Sequence, residues 1–209
     1  MKKSRSATSI VESMIVMLII VTGITWMYNI FSQSQKLSDT TGNRIEAIQI
    51  AREWIEAMTN VRNTNWVLFA ADYKNCWNTF DYDNRCIWDT ANTDIVDGNS
   101  YKIYQDSSTD RWILENETSW VYSDSWYRNR FQVFKDTNGF YSQSSWTPFS
   151  PIFTREIIIE YLDSDWWWAP NSDDEKMRVT SRVQWQDSSR STPYNLELET
   201  ILTNWKNKN

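Results

Sequence analysis

The chain has no histidine, only two cysteines, only four glycines, and no cluster of lysine or arginine beyond residue 5. Without histidine there is no His-dependent triad, no imidazole general base and no histidine metal ligand. Two cysteines cannot build a Cys-rich zinc site. A formal net charge of −6 argues against non-specific nucleic-acid binding through net charge. No Gly-rich phosphate loop, nucleophile elbow or metalloprotease motif is present. These absences point away from an enzyme. No cofactor, no metal and no nucleic-acid partner is expected.

The shortage of glycine has a counterpart. There are 14 Trp against 4 Gly, where an average chain of this length carries about 15 Gly and about 3 Trp. Several tryptophans stand where turn chemistry prefers glycine. Trp166-Trp167-Trp168 lies inside a polar loop between Asp165 and Ala169-Pro170, Trp146 sits between Ser145 and Thr147-Pro148, and Trp88 and Trp126 have similar surroundings. Some bacterial lineages read UGA as glycine, and translating such a gene with UGA read as Trp produces this signature. The bland alternative is a genuinely Trp-rich binding surface.

The longest absence is of charge. From Ser13 to Gln35 there are 23 residues without a charged side chain. As an α-helix they cover roughly 34 Å, against a hydrocarbon core of about 30 Å. Lys2, Lys3 and Arg5 precede the run, which places the N-terminus in the cytoplasm and the rest outside. A plain signal peptide has a shorter apolar core with small residues after it. Here Ser6-Ala7-Thr8-Ser9 comes before the apolar run. Glu12 interrupts the apolar sequence at its mouth, where a carboxylate is costly.

Short basic leader, small residues, Ile10-Val11-Glu12, then an uncharged helix: this order resembles the prepilin segment of type IV pilins and type II secretion pseudopilins. The resemblance implies cleavage by a prepilin peptidase between Ala7 and Thr8, N-methylation of Thr8, and Glu12 as fifth residue of the mature chain. The family's usual Gly is Ala7 here, and its usual Phe or Met is Thr8. In an assembled filament Glu12 is expected to meet the positive amine of a neighbouring subunit, which relieves the cost of a charge in low dielectric. Loss of Lys2, Lys3 and Arg5 with the leader takes the net charge from −6 to −9. The competing reading of this segment is an ordinary signal anchor with a chance acidic residue at its edge.

The helix is expected to continue beyond the membrane. Ile45, Ile48, Ala51, Ile55 and Met58 follow helical spacing, with Arg44, Glu46, Arg52, Glu53 and Glu56 on the other surfaces. Gly42 weakens the junction. The polar stretch Asn60 to Asn65 is expected to end the helix. Ala51 to Asn60 also resembles the second half of the long helix in some pilin-like proteins, where the Trp54 position is commonly Gly. The expected organisation is a leader over 1–7, a long helix over 8–61 that spans the membrane to about 35, and an extracytoplasmic head over 62–209.

Cys76 and Cys86 fall in the exported part, where an oxidising compartment favours a disulfide. Closing so short a loop is worth about 2–3 kcal/mol in the chain-entropy model. Two unpaired thiols are the alternative.

The rest of the head reads as strands. Asp97-Gly98 turns into Tyr101 to Tyr104. Phe131 to Lys135 alternates and, through Asn138-Gly139, is expected to form a hairpin with Phe140-Tyr141. Ile157 to Leu162 reads as a buried strand. Met177, Val179, Val183 and Trp185 share one face of another, followed by Leu196, Leu198 and Leu202 alternating with Glu197 and Glu199. Arg178 and Arg182 are expected to oppose the two glutamates. The fold class is α+β: a long N-terminal helix packed on an antiparallel sheet, pilin-like in plan.

Two weak signals remain. The loop from Asp163 to Glu175 is rich in oxygen ligands but lacks the twelve-residue calcium-loop spacing, so a solvated acidic loop is the preferred reading. Asn116-Glu117-Thr118 fits the glycosylation pattern.

The expected function is a structural, minor-type subunit of a type IV pilus or pseudopilus. Its expected partners are the prepilin peptidase, other pilin subunits through the N-terminal helix, and the inner membrane before assembly. The expected location is the cytoplasmic membrane, then the extracellular pilus or cell-surface pseudopilus. The alternative is an uncleaved, membrane-anchored extracytoplasmic binding domain; an anchored enzyme is disfavoured by the missing motifs.

The coding DNA tests the composition argument. UGA codons are expected at Trp166 to Trp168 and at many of the other tryptophans; UGG at those three overturns the glycine reading.

Overall fold

The residues from Ile10 onward favour a helix because they are apolar, uncharged and free of proline, and they form one. Helix α1 runs Ile10–Leu68 without a break, through both Gly23 and Gly42. The computed structural model describes residues 10–70, 76–80, 82, 84–87, 95–106, 108–117, 124–135, 141–143, 152–162, 176–186 and 191–205. The chain divides into two compact units, Met1–Ile45 and Glu46–Asn209, with the boundary just after Gly42.

In the first unit every residue of α1 from Ile10 to Phe31 is exposed. It is the one helix, among the described residues, that is long and apolar enough to cross a membrane by length and composition. Thr22 and Thr25 return their hydroxyls to the carbonyls of Leu18 and Val21, at 2.9 Å and 2.8 Å, so these side chains add no unpaired donor to the apolar surface.

In the second unit the same helix becomes one-sided. Ala47, Ile50, Ala51, Trp54, Ala57, Met58, Val61, Asn65 and Trp66 are buried. The expected stripe is rotated: Ala51 and Met58 lie on the buried face, Ile48 and Ile55 flank it, and Ile45 is exposed. Trp54 sets the difference, because the largest ring takes the centre of the contact and turns the isoleucines to its edge. The helix also continues past Asn60 to Leu68 instead of ending near 61. The reason is that Asn65 does not cap the helix. It is buried, and its Nδ2 donates to the carbonyls of Trp77 and Thr79 at 3.2 Å and 2.7 Å, which ties the following segment to the helix.

The sheet has five antiparallel strands: β1 (Ser100–Gln105), β2 (Trp112–Glu117), β5 (Phe153–Tyr161), β6 (Lys176–Trp185) and β7 (Tyr194–Thr203), in the order β2-β1-β5-β6-β7. A small second sheet pairs β3 (Phe134–Lys135) with β4 (Tyr141–Ser142). The fold is therefore α+β, with a long N-terminal helix packed on an antiparallel sheet. Strict alternation sorts the strands. Phe153, Ile157, Ile159, Val179, Val183 and Trp185 face the helix, and the intervening Glu156, Glu160, Arg178 and Arg182 take the opposite face. Gly98 adopts φ 71°, a left-handed value that glycine tolerates, and its N–H donates to the Ile159 carbonyl at 2.7 Å. That turn, together with Asp97 Oδ1 accepting from the Tyr161 amide at 2.7 Å, seats β1 against β5.

Two strand expectations change. Phe131 closes a short helix, α2 (Ser125–Phe131), capped by the Asp124 carboxylate accepting from the Trp126 amide. The Tyr127 and Phe131 rings pack one turn apart with centroids at 4.8 Å, so the local helical pairing wins over the alternating pattern. The hairpin survives at its tip as β3 and β4; its Asn138-Gly139 turn and Phe140 lie outside the described residues. The arginine–glutamate ladder is half as expected. Arg182 pairs with Glu197, Nε to Oε1 at 2.7 Å, while Arg178 lies opposite Ile201 and turns to Glu160 at 3.1 Å. Glu199 stands opposite Thr180.

On the β1–β2 side, Glu117 is buried and held by Lys102, at 2.8 Å, and by Arg130. Burial pushes its carboxyl upward, but the two cations outweigh it and hold the pKa below its ordinary value of 4.5. A carboxylate lowered in the folded state stabilises the protein above its unfolded pKa. That contribution is lost as pH falls through the lowered folded value. Glu117→Gln is expected to cost about 1–3 kcal/mol at neutral pH. The gap to wild type should narrow as pH falls below the ordinary value of 4.5 and close once the lowered folded value is passed, as followed by denaturant unfolding of the full chain in detergent. A gap independent of pH overturns the assignment.

Candidate functional site

The residues singled out from the sequence fall in two places. Ala7 and Thr8 lie outside the described residues. Glu12 lies in the first turn of α1, exposed, and no cation pairs with it among the described residues. Its surroundings are Ile10, Val11, Met14 and Ile15, all at least half exposed. The site is thus a single carboxylate on an otherwise apolar helical surface. The first turn of a helix carries partial positive charge from its free N–H groups, which favours an anion there. Among the described residues that is the local support Glu12 receives. Chemically, such a group can pair with a cation brought by another molecule.

Cys76 and Cys86 form a disulfide, with Cα atoms 5.3 Å apart, and both pack with Phe69 just beyond the end of α1. Among the described residues no cysteine is free and no group of three or more acidic or thiol side chains converges on a common point. The acidic loop 163–175 and Thr118 lie outside the described residues, as do Trp88, Trp146 and Trp166 to Trp168.

A second cluster was not anticipated. Arg155 is 1% exposed on the helix-facing side of β5, its guanidinium 3.3 Å from the centre of the Trp54 ring and 3.5 Å from Glu53 Oε2. Burial pulls the Arg155 pKa well down, and the Glu53 carboxylate opposes that. Burial raises the Glu53 pKa, and Arg155 pulls it back. The Arg155 Nε has no hydrogen-bond partner. A sequence signal existed: Arg155 is in phase with Phe153, Ile157 and Ile159, so strand alternation alone turns it inward.

The tryptophans now separate. Trp66 is buried and its indole N–H donates to Asn204 Oδ1 at 3.1 Å. Trp54, Trp77 and Trp185 are equally buried, yet none of their N–H groups has a partner. Buried indoles ordinarily find one. Trp66 thus meets the ordinary requirement of a buried indole, and Trp54, Trp77 and Trp185 pack in the core with theirs unmet. Trp126, by contrast, is half exposed, with Arg130 stacked on it at 4.0 Å.

Comparison with known protein families, with characterised proteins and with solved structures finds no match to this chain.

A buried cation held by one partly exposed carboxylate is a poor source of stability. Arg155→Met is therefore expected to leave the unfolding midpoint unchanged or raise it. Glu53→Ala is expected to lower stability by about 1–3 kcal/mol, by leaving the cation unpaired. Denaturant unfolding of both variants checks this, and the reverse order refutes it.

Proposed function

We propose that the chain is a structural subunit, of the minor type, of a type IV pilus or related pseudopilus. On this reading a prepilin peptidase cleaves between Ala7 and Thr8, Thr8 is methylated, and the subunit assembles with others through α1. It resides in the cytoplasmic membrane before assembly. The observation that carries the reading is the division of labour along α1. Its first part exposes apolar side chains all round, with one carboxylate in the first turn, and its second part buries a single face on an antiparallel sheet. A helix of the first kind needs lipid or other helices around it. A carboxylate at its mouth is costly in lipid and gains from a cationic partner in a bundle. The head supplies no catalytic constellation in this reading; its role is to be carried and presented.

The departures at Ala7 and Thr8 favour a second reading, an uncleaved anchor that holds the head at the membrane. The N-terminus of the protein from its native membrane separates the two. Mass spectrometry is expected to find a methylated Thr8; an intact Met1-Lys2-Lys3 leader rejects cleavage. Glu12→Ala is expected to keep or improve membrane insertion while reducing incorporation into filaments by about tenfold, the order of a lost charge pair. Incorporation equal to wild type removes the role assigned to Glu12.

A further inference from the structure

Strand β7 is the open edge of the five-stranded sheet: β6 lies on one side, and no described strand lies on the other. It is ten residues long, and its register with β6 runs unbroken from Trp185↔Tyr194 to Lys176↔Thr203. Within Tyr194–Thr203 there is no proline, no lysine and no bulge; the charges on this edge are Glu197 and Glu199, which oppose an acidic strand and not a basic one.

The two faces of this edge differ. Toward the helix, Leu196 and Leu198 are half-buried against the second core cluster, so apolar surface extends to the rim. Away from the helix stand Asn195, Glu197, Glu199 and Ile201, all exposed. Glu197 is already engaged by Asn195 and Arg182, at 3.0 Å and 2.7 Å. Among the described residues no cation pairs with Glu199, whose neighbour on β6 is Thr180. The opposite edge, β2, is shorter, and both its glutamates are paired: Glu115 with Lys102, and Glu117 with Lys102 and Arg130.

We propose that β7 is a docking edge for an extended segment of another protein, added as a sixth strand, with basic residues alternating with apolar ones. The backbone of β7 supplies the ladder. Glu199 and the outer part of Glu197 meet the basic residues, and the rim at Leu196 and Leu198 meets the apolar ones. A second copy of this chain is the wrong occupant. Pairing β7 with the β7 of a second copy brings Glu197 and Glu199 of both strands onto one outer face, where like charges repel. The overall charge of −6 acts in the same direction, toward a cationic partner. The proposal does not depend on filament assembly.

The test uses the full chain in detergent and a short synthetic peptide alternating lysine and valine. Expected is slowed hydrogen exchange at amides within 195–203. A peptide alternating glutamate and valine, and a lysine–valine peptide with alternate N-methylated amides, are expected not to bind. Glu199→Lys, checked for an unchanged unfolding midpoint, is expected to weaken binding roughly tenfold, as an opposite-charge cross-strand pair becomes a like-charge one. The proposal is overturned if the N-methylated peptide binds equally well. It is also overturned if protection appears on α1 or β2 instead, or if the amides of β7 are already protected in the peptide-free chain in proportion to its concentration, which marks a second copy.

Discussion

The second unit depends on one contact: the buried face of α1 against the inner face of β5 and β6. Trp54, Met58 and Val61 share a core with Ile157, Ile159 and Val179. Ala47, Ile50 and Ala51 share another with Phe153, Val183 and Trp185. Each large side chain removed from water in this way contributes about 1.5–3 kcal/mol. Without the helix the inner halves of these strands are apolar rows open to solvent, and without the sheet this stretch of helix has little to hold it but its own backbone. The contact is then pinned at its ends by polar bonds. Trp66 donates to Asn204 at the end of β7, and Glu46 accepts from the Tyr141 hydroxyl beside β3. The small alanines at 47, 51 and 57 let the helix approach closely enough for Trp54 to fill the middle.

Charge is distributed so that the core tolerates it. Glu117 is enclosed, yet two cations reach it, so it stays ionised. The outer face of the sheet carries a chain of pairs, Glu156 to Arg182 to Glu197, with Arg178 on Glu160 beside it. The exposed Arg178–Glu160 pair contributes little to stability individually, whereas Glu156 is buried and Arg182 supplies the cation that its burial requires. What the pairs together fix is register, since a one-residue slip would set each arginine against the wrong face. Arg155 is the exception on the inner side, and it is accommodated by a π face instead of by a full set of acceptors.

Much of this was legible in the sequence because it rests on periodicity. The absence of charge from 13 to 35, the alternation of Met177 to Trp185 and of Leu196 to Leu202, and the two cysteines gave the long helix, the last two strands and the disulfide. The failures share one cause: tertiary partners override local pattern. Asn65 looked like a helix terminator until two backbone carbonyls from the next segment claimed its amide. Phe131 alternated like a strand residue, but Asp124 was placed to cap a helix. The buried face of α1 was misjudged by the position of one aromatic. As for the candidate site, Glu12 was visible because a charge in an apolar run is conspicuous, whereas the alternation of β5 turns Arg155 inward without naming Trp54 as the ring it meets.

Position 54 is where the composition argument and the physical one meet. As tryptophan, the side chain fills the core and gives Arg155 its stacking surface, at the cost of a buried N–H without an acceptor. As glycine, the helix interior loses about 1 kcal/mol of intrinsic propensity. Arg155 then faces the space the indole had filled, with Glu53 as its anchor. The chemistry of the buried cation therefore turns on one codon, and so does any surface property read from the exposed tryptophans. Glu12 is insulated from this. No tryptophan stands between it and the helix start, and the apolar side chains around it are isoleucine, valine and methionine. The assembly role proposed for Glu12 therefore draws on residues that the tryptophan question does not touch, while the packing of the second half of α1 includes Trp54 itself.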